Sequence, residues 1–99
     1  MTIEQKTENG SLVLHVGGEL TALTAKQLSS AAKAAITETS HLVLDFKDLE
    51  YVASAGLRVL LEARDLLNKK HGKLTIRNIS KAVMQIFDIT GFSDILDLE

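Results

Sequence analysis

The sequence predicts a single α/β domain with the order β-β-α-β-α-β-α-β, in which a mainly parallel sheet carries an antiparallel edge strand at its N-terminal end. Short apolar, β-branched segments alternate with longer segments whose apolar residues recur at helical spacing. Strands that alternate with helices usually pair in parallel through right-handed crossovers. The 99 residues show no internal repeat, linker or low-complexity segment, so residues 1–99 are expected to form one domain.

The first two strands are predicted to form a hairpin. Asn9-Gly10 is a strong turn signal, and an apolar, β-branched run over residues 12–16 follows it. An edge strand over residues 2–7 is therefore expected to pair antiparallel with this run. Gly17-Gly18 comes next and is expected to break the second strand.

Two long helices follow from apolar spacing and capping signals. Thr24 offers an N-cap for an alanine-rich helix over residues 25–37. A second helix is expected over residues 54–70, with a broad leucine stripe on one side. Gly72 is placed as the C′ residue that ends this second helix.

The C-terminal part adds a third helix and two strands. Ser80 is expected to cap the third helix and Gly91 to end it. The remaining segments are assigned by their apolar runs: strands over residues 41–46 and 73–78, a connection over residues 47–53, and a last strand or packing tail over residues 92–98.

Composition narrows the functional classes. The absence of cysteine excludes disulfides, thiolate zinc sites and thiol catalysis. A formal charge of −2, one Tyr, three Phe and no Trp give neither a basic footprint nor a base-stacking platform, so nucleic acid is not an expected partner. Neither a secretory signal nor an apolar run near the roughly 18 residues of a membrane span is visible. We therefore expect a cytoplasmic domain without membrane insertion and without a cofactor.

The loop over residues 47–56 is the first place to look for a site, because sites in such sheets lie where strands lead into helices. Ser54 falls at or next to the N-cap of the second helix, where a hydroxyl that only caps the helix is worth about 1 kcal/mol. A phosphate there adds about −1.5 to −2 charges at pH 7, which the free amides and the helix dipole can accommodate. Gly56, in the first turn, is expected to let a phosphate or a partner backbone come close.

Three stretches of the sequence, residues 18–21, 45–57 and 82–92, carry a common family pattern. They resemble STAS domains, specifically the stand-alone anti-sigma factor antagonists. Residues 45–57, which end in Ser54-Ala55-Gly56-Leu57, resemble the family's phosphorylation segment. In that segment an acidic-Leu pair and an apolar pair precede Asp-Ser-Ser/Thr-Gly-Leu. Residues 18–21 resemble the family's Gly-Glu-Leu-Asp turn, and residues 82–92 its third helix and following turn. The stretches occur in the family's order, and the resemblance spans nearly the whole chain.

The resemblance implies a partner-switching regulator and not an enzyme. The unphosphorylated chain binds an anti-sigma factor that is a serine kinase, and the sigma factor is released. Phosphorylation of Ser54, which aligns with the family's phosphoacceptor, ends the complex, and a metal-dependent, PP2C-type phosphatase resets it. The docking surface is then expected at the turn 18–24, the loop 47–56 and the start of the second helix. The partner-binding residues expected on it are Gly18, Glu19, Thr21, Ala53, Ser54, Ala55, Gly56 and Arg58.

Two departures from the family pattern leave a second function open. Ala53 stands where the family has Asp before the serine, and Thr21 stands where it has Asp in the turn. Both changes remove acidic side chains from the expected docking surface. Some small STAS proteins are non-phosphorylated docking subunits of ABC-type lipid transport systems, which remains the alternative.

Other chemistries have less support in the sequence. Asp45 and Asp48 near a strand end are compatible with a receiver-like phosphoaspartate, but the further carboxylates of a magnesium site are missing. We expect both to orient the loop by hydrogen bonds to backbone amides. His15, His41 and His71 are far apart and lack cysteine partners for a metal, and no Gly-x-Ser-x-Gly elbow marks a hydrolase.

Overall fold

The computed structural model describes all 99 residues and confirms the α/β class, with one strand more than the sequence predicted. The elements in chain order are β1 (Thr2–Glu8), β2 (Ser11–Leu20), α1 (Ala25–Ile36), β3 (His41–Asp45), β4 (Leu49–Val52), α2 (Ser54–Lys69), β5 (Lys73–Arg77), α3 (Lys81–Thr90), a 3₁₀ turn (Phe92–Asp94) and β6 (Asp97–Leu98). No helix combines the length and the apolar composition that crossing a bilayer requires.

The sheet is mainly parallel, with one antiparallel edge. Its strand order is β1-β2-β3-β5-β6, and β4 pairs with the far end of β2 outside this path. The β1–β2 hairpin is antiparallel and places Glu8 opposite Ser11, whereas the other pairs are parallel. This topology confirms the predicted sheet, including its antiparallel N-terminal edge strand.

The second strand does not break at Gly17-Gly18, and this prediction was wrong. β2 continues to Leu20 because its last residues pair in parallel with β4. The register shifts between Gly18 and Glu19, and Gly18 has φ of 98°, a conformation that glycine adopts without steric cost. Residues 49–52 of the predicted connection over residues 47–53 are accordingly a strand, β4.

The core lies between the sheet and the helices. Alternate residues of the central strands enter a cluster of 24 buried residues, as do the apolar stripes of α1 and α2. The helices α1 and α2 contact each other, and α3 lies beside β4. The carboxyl ends of β2 and β4 pair with each other and lie against the first turn of α2, where the expected site lies.

The end of α2 is built differently from the prediction. His71, and not Gly72, takes the left-handed backbone conformation, with φ of 58°. The N–H of His71 donates to the carbonyl of Asn68 at 3.1 Å, and that of Gly72 donates to the carbonyl of Leu67 at 2.7 Å, as in a Schellman motif. Gly72 is needed for close packing, because a Cβ there would overlap the carbonyl oxygen of Ser40.

The structure confirms both predicted ends of α3 but not the predicted side-chain cap of α1. Ser80 caps α3 by accepting from the N–H of Val83 at 3.1 Å, and Gly91 ends α3 with φ of 81°. Thr24 is the N-cap residue of α1, but its hydroxyl makes no capping bond to that helix. The C-terminal segment, predicted as a strand or a packing tail, contains both. Its 3₁₀ turn packs on the core, and β6 pairs with β5.

Candidate functional site

The strand β4 joins the turn after β2 to the start of α2. It places Glu19 opposite Tyr51 and Leu20 opposite Val52. The N–H of Ala53 then donates to the carbonyl of Leu20 at 2.8 Å. Backbone pairing therefore fixes the turn 18–24 and the loop 47–56 beside each other, on one end of the sheet.

Ser54 is the first residue of α2, and its side chain is exposed. The N-cap residue is Ala53, and no side chain makes a capping hydrogen bond to this helix. The interpretation of Ser54 as a helix cap is therefore wrong. The N–H groups of Gly56 and Leu57 both donate to the carbonyl of Ala53, at 2.9 and 3.1 Å, while the amides before them have no intrahelical acceptor.

The charges near Ser54 favour an added anion. The first turn of α2 contains no acidic residue, so nothing there offsets the positive end of the helix dipole. Arg58 lies four residues along the helix, on the same face as Ser54, and is exposed without an ion pair in the chain. Its guanidinium remains free to contact a phosphate or a partner.

Gly56 plays a different part from the one expected. It is buried, and a Cβ at this position would overlap the side chain of Leu20 and lie 3.2 Å from Cγ1 of Val52. Gly56 therefore brings α2 close to the ends of β2 and β4 and does not face a ligand. The neighbouring Ala55 is half-buried and packs against the core.

The turn after β2 is closed by threonine hydroxyls. Oγ1 of Thr24 accepts from the N–H of Thr21 and donates to the carbonyl of Glu19, both at 2.8 Å. Oγ1 of Thr21 accepts from the N–H of Leu23 at 3.2 Å. Thr21 thus supplies the local acceptor that an aspartate can supply in such a turn, without its charge.

Two large side chains, one in this turn and one on the neighbouring β4, are exposed. Leu23 is 92% exposed and Tyr51 is 46% exposed. A hollow of about 450 Å³ lies between the turn and β4. We call it the acidic groove; its lining residues are Met1, Gly18, Glu19, Thr21, Leu23, Thr24 and Glu50. An outward-pointing strand position is the signal that could have found Tyr51, whereas Leu23 carries no sequence signal because an isolated leucine usually indicates core.

Asp45, a buried residue at the end of β3, holds the start of the loop 47–56 by a hydrogen bond. It is 4% exposed at the end of β3, and Oδ1 accepts from the N–H of Lys47 at 3.0 Å. Oδ2 accepts from Nδ2 of Asn78 at 3.0 Å and from Nε of Arg77 at 3.1 Å. Burial raises the pKa of Asp45, but these hydrogen bonds outweigh it and hold the pKa below its ordinary value. Asp45 therefore orients the loop as expected, whereas the Asp48 side chain makes no such bond.

Arg77 extends this cluster to the edge of the sheet. Its guanidinium also forms two bonds with the Glu8 carboxylate, at 2.9 and 3.2 Å. These bonds lower the pKa of Glu8 and raise that of Arg77. With both Asp45 oxygens already bonded, this carboxylate is poorly placed to accept a phosphoryl group. The chain holds no cluster of three or more His, Asp or Glu side chains suited to a metal ion.

Comparison with known proteins identifies the family of this chain. The family model described as "STAS domain" matches residues 2–99. The chain is 26% identical over 98 residues to the anti-sigma-B factor antagonist of Bacillus subtilis (strain 168), covering 99% of this chain and 90% of that protein. It is 30% identical to the anti-sigma-B factor antagonist of Listeria monocytogenes serovar 1/2a, covering 87% of this chain and 76% of that protein.

Solved structures show the same fold. The unphosphorylated form of the anti-sigma factor antagonist SpoIIAA superposes with a TM-score of 0.82 at 19% identity, covering 99% of this chain and 88% of that chain. An anti-sigma factor antagonist from Mycobacterium paratuberculosis gives a TM-score of 0.88 at 26% identity, covering 98% and 83%. The chain therefore belongs to the STAS domain family.

Proposed function

We propose that this protein is an anti-sigma factor antagonist whose binding is switched off by phosphorylation of Ser54. The observation that carries the proposal is the Ser54 side chain, exposed at the first position of α2 and making no capping bond. The names of the relatives support an anti-sigma factor as the partner. The unphosphorylated chain binds an anti-sigma factor kinase, and the sigma factor is released. The protein thereby regulates transcription, and it does so in the cytoplasm.

The partner kinase catalyses the phosphoryl transfer, and this chain supplies the accepting hydroxyl group of Ser54. The kinase transfers the γ-phosphoryl group of ATP to Oγ of Ser54, ADP leaves, and the hydroxyl proton is lost. A PP2C-type phosphatase then hydrolyses the phosphoserine and restores the hydroxyl with release of phosphate. Because Ser54 makes no capping bond that the reaction would break, the helix is expected to stay folded through the cycle.

Phosphorylation changes the surface more than it changes the fold. The free amides of the first turn and the helix dipole stabilise the phosphate locally, and Arg58 is placed to pair with it. A partner that docked on the neutral hydroxyl must then desolvate about −1.5 to −2 charges. The complex is therefore expected to dissociate while the antagonist remains native.

The geometry of the site does not distinguish the phosphoswitch from the alternative, a docking subunit of an ABC-type lipid transport system. The groove, the turn and the free Ser54 suit a protein partner of either kind, but the relatives compared above are anti-sigma factor antagonists. We therefore propose only the phosphoswitch.

A kinase assay tests the proposal. The anti-sigma factor kinases encoded by the source genome are purified and mixed with the protein, with and without ATP, and the complex is followed by size-exclusion chromatography. We expect a complex without ATP, and its loss with ATP as the protein gains one phosphate. Ser54→Ala is expected to bind and never dissociate, while Ser30→Ala, which removes an exposed serine of α1, behaves as wild type. A complex insensitive to ATP contradicts the switch.

A further inference from the structure

The strand β1 forms one edge of the sheet and has no neighbour on its outer side. It is seven residues long, and every residue except Ile3 is exposed. Its pairing with β2 runs from Thr2 to Glu8 without a bulge, and the strand contains no proline. Short length, bulges and prolines commonly keep an edge strand from pairing with another chain. The opposite edge, β6, has only two residues, whereas β1 has none of these protections.

The hairpin determines which backbone groups of β1 point outwards. Asn9 and Gly10 form a two-residue turn with φ of 50° and 85°, so the flanking residues Glu8 and Ser11 form a hydrogen-bonded pair. Hydrogen-bonded and non-hydrogen-bonded pairs alternate along an antiparallel ladder. The residues whose N–H and C=O groups face the free edge are therefore Ile3, Gln5 and Thr7. A further strand at this edge must form its hydrogen bonds with these three residues.

The side chains of β1 carry opposite charges two residues apart. Glu4 and Lys6 lie on the same face of the sheet, because side chains alternate along a strand. Both are exposed and neither forms an ion pair within the chain, whereas Glu8 is bonded to Arg77. A lysine on an edge strand usually opposes pairing with a second copy. Here the glutamate two residues away supplies a charge that a second copy of the lysine can pair with.

One register of two antiparallel β1 strands satisfies both the hydrogen bonds and the charges. With Gln5 of the two copies opposite each other, Ile3 lies opposite Thr7, and these outward-facing residues form about six backbone hydrogen bonds. Glu4 of each copy then lies opposite Lys6 of the other, in the non-hydrogen-bonded pairs where side chains are closest. Moving the centre to Glu4 or to Lys6 places like charges opposite each other, and larger shifts pair only the ends of the strand.

We propose that two copies of this chain pair through β1, antiparallel and centred on Gln5, in a symmetric dimer whose sheet is continuous across both copies. A second copy fits this edge because the strand is self-complementary: each Glu4 meets a Lys6. The dimer also satisfies the outward-facing backbone groups of a long exposed edge. Pairing of this kind goes beyond the proposed function and does not depend on phosphorylation of Ser54.

Charge reversals test the register. The dimer dissociation constant of the full chain is measured by sedimentation equilibrium at low salt, from micromolar to millimolar protein, and we expect the wild type to dimerise. Glu4→Lys and Lys6→Glu each place like charges opposite each other twice in the dimer. Each is expected to raise the dissociation constant by about tenfold or more. An equimolar mixture of these two variants restores both opposite-charge pairs and is expected to dimerise like the wild type.

A charge reversal away from the edge is the matched control. Glu38→Lys changes the net charge as Glu4→Lys does, at an exposed residue between α1 and β3. Its dimer dissociation constant is expected to equal that of the wild type.

A proline tests the backbone pairing. The N–H that Gln5→Pro removes faces the free edge, so the hairpin with β2 keeps its hydrogen bonds while pairing with a second strand is blocked. We expect this variant to be monomeric, with a far-UV circular dichroism spectrum like that of the wild type. In the wild type, amide hydrogen exchange of Ile3, Gln5 and Thr7 is expected to slow as the protein concentration rises.

The outcomes decide for or against the dimer. A wild-type chain that stays monomeric at millimolar concentration refutes it. A dimer that is unaffected by Gln5→Pro and by both charge reversals forms through another surface, which also refutes it. If the reversals weaken the dimer but their mixture does not restore it, the register centred on Gln5 is wrong. Weakening by each reversal, recovery in the mixture and an unchanged Glu38→Lys control support the pairing.

Discussion

Substituting Gly56 by alanine separates two roles that the residue can have at this site. If Gly56 lies at the surface to let a partner come close, a Cβ meets no obstacle in the free protein. Replacing a helical glycine by alanine then raises the free energy of unfolding by roughly 0.8–1 kcal/mol. The structure predicts the opposite. The new Cβ would overlap Leu20, which is fully buried, with Cδ2 only 2.7 Å away.

The expected magnitude follows from these two opposing effects. Overpacking of a well-packed core costs about 1–3 kcal/mol, and this overlap belongs near the upper end because Leu20 is enclosed on all sides. After the helix-propensity gain, Gly56→Ala is expected to lower the free energy of unfolding by about 1–2 kcal/mol. Urea denaturation followed by far-UV circular dichroism measures this difference at pH 7.

A double-mutant cycle identifies the cause. In a Leu20→Ala background the clash is absent, and adding Gly56→Ala should then be neutral or stabilising. Leu20→Ala alone is expected to cost about 2–5 kcal/mol, because it leaves a cavity. A Gly56→Ala single variant as stable as wild type would refute the packing role and return Gly56 to the partner surface.

Two further predictions concern the polar cluster and the end of α2. Asp45→Asn is expected to lower the free energy of unfolding at pH 7 by about 1–3 kcal/mol, because Arg77 loses a hydrogen-bonded carboxylate. The pKa of Asp45 is lowered on folding, so its contribution to the free energy of unfolding is present above its ordinary pKa of 3.8 and is lost as pH falls through the folded pKa. Urea denaturation at a series of pH values measures this contribution. If Asp45→Asn loses as much stability in acid as the wild type does, the prediction is contradicted. At the end of α2, His71 has a positive φ, which costs a residue with a side chain about 1 kcal/mol. His71→Gly removes this cost and is expected to raise the midpoint of thermal unfolding. Gly72→Ala is expected to lower it through the clash with Ser40, and calorimetry that reverses this order would show that Gly72 carries the turn.

The parts of the fold that local chemistry determines were predictable from the sequence. Asn9-Gly10 specified the hairpin, and Ser80 and Gly91 marked both ends of α3. The strand β4 was not predictable, because its bulge places Glu50 and Tyr51 side by side on the exposed surface and so removes the alternation that marks a strand. The extension of β2 through Gly17-Gly18 depends on that same long-range pairing, and glycines alone indicate a break.

The site was predictable in outline but not in its contacts. The Ser-Ala-Gly-Leu segment located Ser54 at the start of α2, where the structure has it. Whether its hydroxyl caps the helix depended on which residue takes the N-cap conformation, and that residue is Ala53. The exposure of Leu23 and the burial of Gly56 follow from how the turn and α2 pack on β2, which no local pattern encodes.

The central claim, that Ser54 is a phosphoacceptor, is tested most directly by intact-mass spectrometry of the protein isolated from its own cells. Wild-type and Ser54→Ala forms are compared, with phosphatases blocked during isolation and across several growth conditions. We expect a species heavier by one phosphate in the wild type only. The absence of this species under every condition, or its persistence in Ser54→Ala, would contradict the phosphoswitch.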